Sequence, residues 1–196
     1  MKNGNATITE NSVQAVLHIA FDEETDTFFR SLWQKVKGAG IPSPLLDRGA
    51  TPHLTLSFGN EVNTKRLVPA LSKILEDKPA PKLVFVSLAT FSNDYGVLFF
   101  APVVTSELLA LHREVEREMS RHASSTNALY KAGRWVPHCT ITMKLSPEQL
   151  LEGFKLLGDV QLPISAQGTR VRLLEFPSLK PLALWHLKGD SSKIPS

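Results

Sequence analysis

The stretch "TPHLTLSF" (residues 51–58) decides the fold, because "VPHCTITM" (residues 136–143) repeats its pattern 85 residues later, His53 to His138. Both write Pro-His-x-Thr inside an apolar run. Successive side chains of a strand point to opposite faces. His53, Thr55 and Ser57 therefore share one face of the first copy, with Leu54, Leu56 and Phe58 on the other. In the second copy His138, Thr140 and Thr142 share a face, backed by Cys139, Ile141 and Met143. Composition alone supplies about 0.03 Pro-His-x-Thr in a chain of this make-up, so two copies in one frame are a signal.

The same offset carries the flanking segments onto one another. "VQAVLHIAF" (13–21) reads as a strand. The following "DEETDTFFRSLWQKVKGAG" reads as a helix, with Phe28, Phe29, Leu32, Trp33 and Val36 at helical spacing and acidic residues in its first turn. Shifted, it lands on the amphipathic segment 106–122, whose stripe is Leu108, Leu111, Val115 and Met119. Val86, Leu88 and Phe91 land on Val171, Leu173 and Phe176, and "VLFF" (97–100) lands on "LALW" (182–185). A fixed period of this kind predicts a duplication: two similar lobes, each contributing one Pro-His-x-Thr strand.

Between these landmarks, 64–77 reads as a helix containing Pro69, which removes a backbone donor. "KLVFVSLATF" and "GVLFFAPV" read as strands around the turn residues "SNDYG" (92–96). "SPEQLLEGFKLLGD" carries a full helix signature, with Ser146 as N-cap, Gln149 closing a capping box and Gly158 at the end. "TRVRLLEF" and "PLALWHLK" complete a single two-lobed domain over 13–188, with flexible ends at 1–12 and 189–196.

Composition excludes several other classes. Hydrophobic residues at 42% and charged residues at 21% suit a soluble globular chain. The polar N-terminus lacks the apolar core of a signal peptide, and no apolar run approaches the roughly 20 residues of a membrane span. Cys139 is the only cysteine, which rules out an internal disulfide and a multi-cysteine metal site. These features predict a cytoplasmic monomer with no membrane partner. The net charge of +3 is spread without a basic run and leans weakly toward anionic partners.

Two histidines facing across a cleft suit proton transfer on both sides of a phosphorus atom. Imidazole titrates near 6.5, so one ring can serve as base and the other as acid. A threonine hydroxyl two residues along each strand can donate to a non-bridging phosphate oxygen and steady the charge of the transition state. No Asp, Glu or Cys joins either motif on its face, so no metal or other cofactor is expected. There is no Gly-x-Ser-x-Gly elbow for a serine nucleophile.

"PHLTLSF", "PHCTITM" and "GRWVPHCTIT" resemble the paired His-x-Thr motifs of the two-histidine (2H) phosphoesterase superfamily, 2′-5′ RNA ligase-like branch. The resemblance spans about 13–188. It implies an α+β fold of two pseudo-symmetric lobes, each an antiparallel sheet with helices on its outer face, flanking a central cleft. It implies metal-independent chemistry on 2′,3′-cyclic phosphates or 2′,5′-phosphodiesters of RNA ends, oligonucleotides or cyclic nucleotides. Carried over by position, His53 and His138 are the catalytic pair, and Thr55 and Thr140 hold the phosphate. Relatives place an arginine after the second motif; here Met143 holds that place and Lys144 follows as its substitute.

Around the motifs, Arg134 and Trp135 are candidates for phosphate charge and base stacking. Phe91 and Phe176, at matching repeat positions, are candidates for stacking on bases. Arg48 is a weaker candidate ahead of the first motif. His18, on the first strand, could face the cleft but shares parity with Val16 and Ala20, so its role stays open and leans structural; His112, His122 and His186 carry no motif. Two other readings stay open: a non-catalytic nucleotide- or RNA-end-binding module, and an RNA ligase running the reverse reaction through the same site.

Overall fold

A computed structural model describes residues 12–92 and 95–189. The expected flexible ends lie almost entirely outside these residues, and so do the two central residues of the "SNDYG" turn. The first described residue, Ser12, already belongs to a strand.

The chain forms an α+β fold with an antiparallel sheet. Its strands are β1 (Ser12–Phe21), β2 (His53–Asn63), β3 (Lys82–Thr90), β4 (Leu98–Pro102), β5 (Ser125–Thr126), β6 (Cys139–Thr142), β7 (Ile164–Glu175) and β8 (Pro181–His186). The helices are α1 (Glu23–Gly38), α2 (Pro44–Asp47), α3 (Thr64–Leu75), α4 (Ser106–His122) and α5 (Pro147–Leu157). The short α2 and β5, and a 3-10 turn over Ala128–Tyr130, have no counterpart in the sequence expectations. The capping box of α5 is formed by Ser146 and Gln149 as its residues dictate. Gly96 closes the approach of β4 to the chain after β6. Its φ is +51°, and a Cβ there would lie 2.1 Å from the Leu145 carbonyl oxygen.

The strand order is β5-β2-β1-β7-β3-β4-β6, with β8 on β7. One strand joins the two halves. Gly168–Glu175 of β7 pairs with β1, whereas Ile164–Gln167 pairs with β3. Helices α3 and α4 pack on the β2 side, and α1, α2 and α5 on the β4–β6 side. Each half therefore mixes both ends of the chain. The first helix, α1, buries Phe29 and Trp33 against the half that holds β6, with Phe29 edge-on to Phe85 and Phe100. Burying each such side chain contributes about 2–3 kcal/mol. The two lobes are therefore not the two sequential halves: strand β7 and helix α1 cross to the other half's sheet.

Register also corrects the strand faces. His18 pairs with Thr55, but Leu17 pairs with Ser57, so a bulge interrupts β2. The second copy repeats the irregularity: Phe99 pairs with Thr140 and Leu98 with Thr142. A bulge adds one residue to one strand and inverts parity beyond it. Ser57 and Thr142 accordingly turn into the core, both fully buried. Each polar stripe is a His-x-Thr pair, without the third hydroxyl that regular alternation predicts.

Candidate active site

His53 opens β2, and His138 stands one residue ahead of β6. The two rings are anchored alike. Nδ1 of His53 donates to the carbonyl oxygen of Thr51 (2.6 Å), and Nδ1 of His138 to that of Val136 (2.7 Å). A carbonyl only accepts, so Nδ1 carries the proton of each neutral ring. Nε2, at the opposite ring edge, is then the basic nitrogen, which is the tautomer a proton-exchanging histidine needs. The rings also feel each other: the charge of His138 helps to hold down the proton affinity of His53, after the larger effect of burial.

The threonines are fixed through their backbones by reciprocal tryptophans. Trp135 Nε1 donates to the Thr55 carbonyl (2.9 Å), and Trp33 Nε1 to the Thr140 carbonyl (3.1 Å). Each indole thus comes from one part of the chain and pins the motif of the other. Trp135 is itself held by His112 of α4, whose ring stacks on the indole at 4.0 Å and whose Nε2 donates to the Tyr130 carbonyl (2.9 Å). His112, unassigned from sequence, is a brace. The phenol of Tyr130 lies against the Thr55 side chain within hydrogen-bonding reach, and burial raises its pKa, so it stays protonated.

The two histidines differ in their surroundings. His53 stacks face to face on His18 at 3.6 Å, with planes 7° apart. His18 is buried and lies between Thr55 on one neighbouring strand and Arg172 on the other. Arg172 Nη1 donates to the Thr51 hydroxyl (2.7 Å), so it grips the residue whose carbonyl orients His53. Burial, the charge of His138 and the Arg172 guanidinium together push the His53 pKa down to about 4, against a smaller upward pull from the bond to Thr51. The pKa of His18 is driven well down by burial and then by His53 and Arg172. His138 instead sits between Phe91 and Phe99, each ring centroid 5.0 Å away, and burial lowers its pKa. By register Phe99 is to Thr140 what His18 is to Thr55, and the strand position beyond it holds Ala89 where the first half holds Arg172.

The remaining sequence candidates separate. Phe91 reaches the site, as a wall for His138. Trp135 is buried with its ring stacked on His112, so it offers no open face for a base and the stacking role is withdrawn. Phe176 packs edge-on to Phe58 and lies beside Glu175, which pairs with Ala15. That is five residues of β1, roughly 16 Å, from the Ala20–His53 pair, so Phe176 does not join the histidines. Lys144 follows the end of β6 in a left-handed turn, φ 63°, and is exposed, so the strand regularity on which its sharing the His138 face depends ends before it. Arg134 and Arg48 are exposed on turns. Cys139 is buried in the core, and burial pushes its thiol pKa far up, so it is no thiolate near neutral pH. Sequence reasoning missed Arg172 and Tyr130. The alternating Arg170 and Arg172 in "TRVRLL" was the available signal, since alternate strand residues share a face. Among the described residues no three His, Cys, Asp or Glu side chains gather as a metal site, and no helix is long and apolar enough to cross a membrane.

A family model described as the 2′-5′ RNA ligase superfamily matches residues 21–178. Among solved structures, the fold is similar to E. coli LigT in its apo form: 17% identity, 91% of this chain and 99% of that chain covered, TM-score 0.58. A protein described as a phosphoesterase is 16% identical over 90% of this chain and 98% of its own, TM-score 0.57. No curated protein matches the chain in sequence.

Proposed function

The chain belongs to the 2′-5′ RNA ligase superfamily, among the two-histidine phosphoesterases, and from that premise we propose that it hydrolyses 2′,3′-cyclic phosphates of RNA ends or nucleotides by acid–base catalysis between His53 and His138. The observation that carries this reading is the matched anchoring of the two imidazoles. Both protonate Nδ1 against a carbonyl two residues upstream and so leave Nε2 to exchange protons. Neither a core histidine nor a binding module needs that tautomer twice.

The unequal surroundings support opposite roles for the two rings. Burial, and after it the charges of His138 and Arg172, hold the His53 pKa down to about 4, so His53 is the neutral ring and acts as the base. Its Nε2 takes a proton from water as the water oxygen attacks phosphorus. The bond from phosphorus to one ribose oxygen breaks, and His138 delivers its Nε2 proton to that oxygen. Thr55 and Thr140 donate to the non-bridging oxygens, and Tyr130 orients the Thr55 hydroxyl. With a 2′,5′ linkage the adjacent 3′-hydroxyl replaces water as nucleophile. Structures of E. coli LigT with 3′-AMP, ATP and phosphate support a nucleotide phosphate as the bound group.

Turnover of a panel of 2′,3′-cyclic nucleotides and 2′,5′-linked oligoadenylate, measured with EDTA present, tests the proposal. His53→Ala and His138→Ala should each lower kcat by about a hundredfold or more, the size of a lost acid or base. Full activity in both variants would remove the mechanism.

A further inference from the structure

A cavity of about 640 Å³ is lined by Ala20 and Thr51, the strand partner and the anchor of His53; His53 itself is not in the lining, and Thr51 belongs to both places. Its carbonyl orients His53, its hydroxyl accepts from Arg172, and its side chain lines the cavity. The reason for the space is a single small residue. Along the sheet, one row of paired residues runs Thr55–His18–Arg172 and is filled by the buried imidazole of His18. The next row runs His53–Ala20–Arg170. Ala20 places only a methyl group between the histidine and the arginine, and it lines the cavity. Arg170 therefore lies two strand spacings, about 10 Å backbone to backbone, from His53 on the same face.

The lining holds three arginines and three carboxylates, but their commitments differ. Asp22 caps α1, accepting from the Thr25 amide and hydroxyl and from the Gln167 amide. Asp26 pairs with Arg30, which also donates to the Ala50 carbonyl. These charges serve the protein. Arg170 and Arg172 each make one hydrogen bond among the described residues, to the Phe21 carbonyl and the Thr51 hydroxyl. A guanidinium has five N–H donors, so both keep donors to offer. Glu23 is exposed, and Asp26 keeps one buried oxygen, Oδ1, without a hydrogen-bond partner. The donors left over are those of two guanidiniums, forked groups of the form that grips phosphate.

We propose that this cavity is a second-phosphate subsite, which makes the preferred substrate a cyclic-phosphate end that also bears a phosphate on the 5′ side of the same nucleoside. The inference rests on the phosphoesterase reading for which phosphate reacts, but its binding arm does not depend on turnover. In that arm calorimetry compares adenosine 3′-phosphate with adenosine 3′,5′-bisphosphate. The second phosphate should tighten binding about tenfold, as charge-assisted hydrogen bonds do. Arg170→Gln, which keeps a donor for the Phe21 carbonyl, should abolish that gain. Glu23→Gln, at an exposed position, should enlarge it. In the kinetic arm, kcat/KM for adenosine 2′,3′-cyclic phosphate is compared with and without a 5′-phosphate, and with its methyl diester to mimic a continuing chain. The 5′-phosphate and the diester should both gain, through KM. Equal affinity with one phosphate and two, or a gain that Arg170→Gln leaves intact, overturns the subsite. If neither cyclic phosphate is turned over while the affinity gain persists, the reaction reading fails and the subsite stands.

Discussion

The two alike-anchored imidazoles stand in unequal surroundings: His53 is stacked on His18, His138 is set between Phe91 and Phe99, and only the first has a cation nearby. Arg172 stands beyond His18 in the first half, and Ala89 holds the corresponding place in the second. The kinetic consequence has a definite sign. A base must be unprotonated, so kcat/KM rises as pH climbs through the His53 pKa, near 4 in the free enzyme. An acid must be protonated, so it falls as pH climbs through the His138 pKa, which burial holds below 6.5. The profile is a bell on the acidic side of neutrality, and an anionic substrate, by favouring the imidazolium, moves the alkaline limb of kcat upward. Arg172→Gln removes a charge that depresses His53, so its acidic limb moves to higher pH, while Arg172→Lys leaves it near the original position. A pH–rate series on the three proteins decides this; an acidic limb that moved to lower pH in Arg172→Gln, or that persisted in His53→Ala, would cancel the assignment of His53 as base. The motif residues were legible because His and Thr recur at fixed spacing. His18 and Arg172 were not, because their meeting depends on the register of β1 against β7, more than 150 residues away in the chain.

At the scale of elements, regular alternation was a good guide up to the bulges and misleading beyond them. A bulge leaves no mark in the apolar pattern of "HLTLSF" or "HCTITM", since Ser57 and Thr142 are polar yet turn inward. Thr142 does so at little cost, because its hydroxyl donates to the Pro42 carbonyl. The tryptophans show how the strands are then held. Trp33→Phe and Trp135→Phe keep an aromatic ring but lose the bond to a motif carbonyl, so each should lower stability by about 1 kcal/mol in urea unfolding. Each should also reduce kcat, and undiminished kcat in both would show that the indoles do not position the threonines. Gly168 marks where β7 leaves β1 for β3. A Cβ there would sit 2.4 Å from Cδ1 of Ile19, which is fully buried and has no room to retreat. Gly168→Ala should therefore cost about 1–3 kcal/mol, the range for overpacking a filled core, measured as a shift of the urea midpoint at constant m-value.

For the whole molecule, the offset read from the sequence carries β1, α1, β2, α3 and β3 onto β4, α4, β6, α5 and β7, but the chain does not fold as two successive units. Strand β3 pairs with β4 and β7 with β1, and α1 packs by β6 while α4 packs on β2. A periodic sequence reports which elements are alike; it carries no record of which partner each one chooses, because both choices bury similar apolar faces. The exchange has a thermodynamic result. Neither half can complete its core without a strand and a helix from the other, so no half-folded state buries enough surface to persist, and unfolding should be all-or-none. Far-ultraviolet dichroism reports the sheet and helices, whereas indole fluorescence reports Trp33, on the β6 side, and Trp135 and Trp185, on the β2 side. The two signals should trace one urea transition with a common midpoint, and Trp33→Phe should shift it without splitting it. Two separated transitions would mean that each half closes its own core, and the cleft would then join independent lobes rather than lie inside one interlocked body.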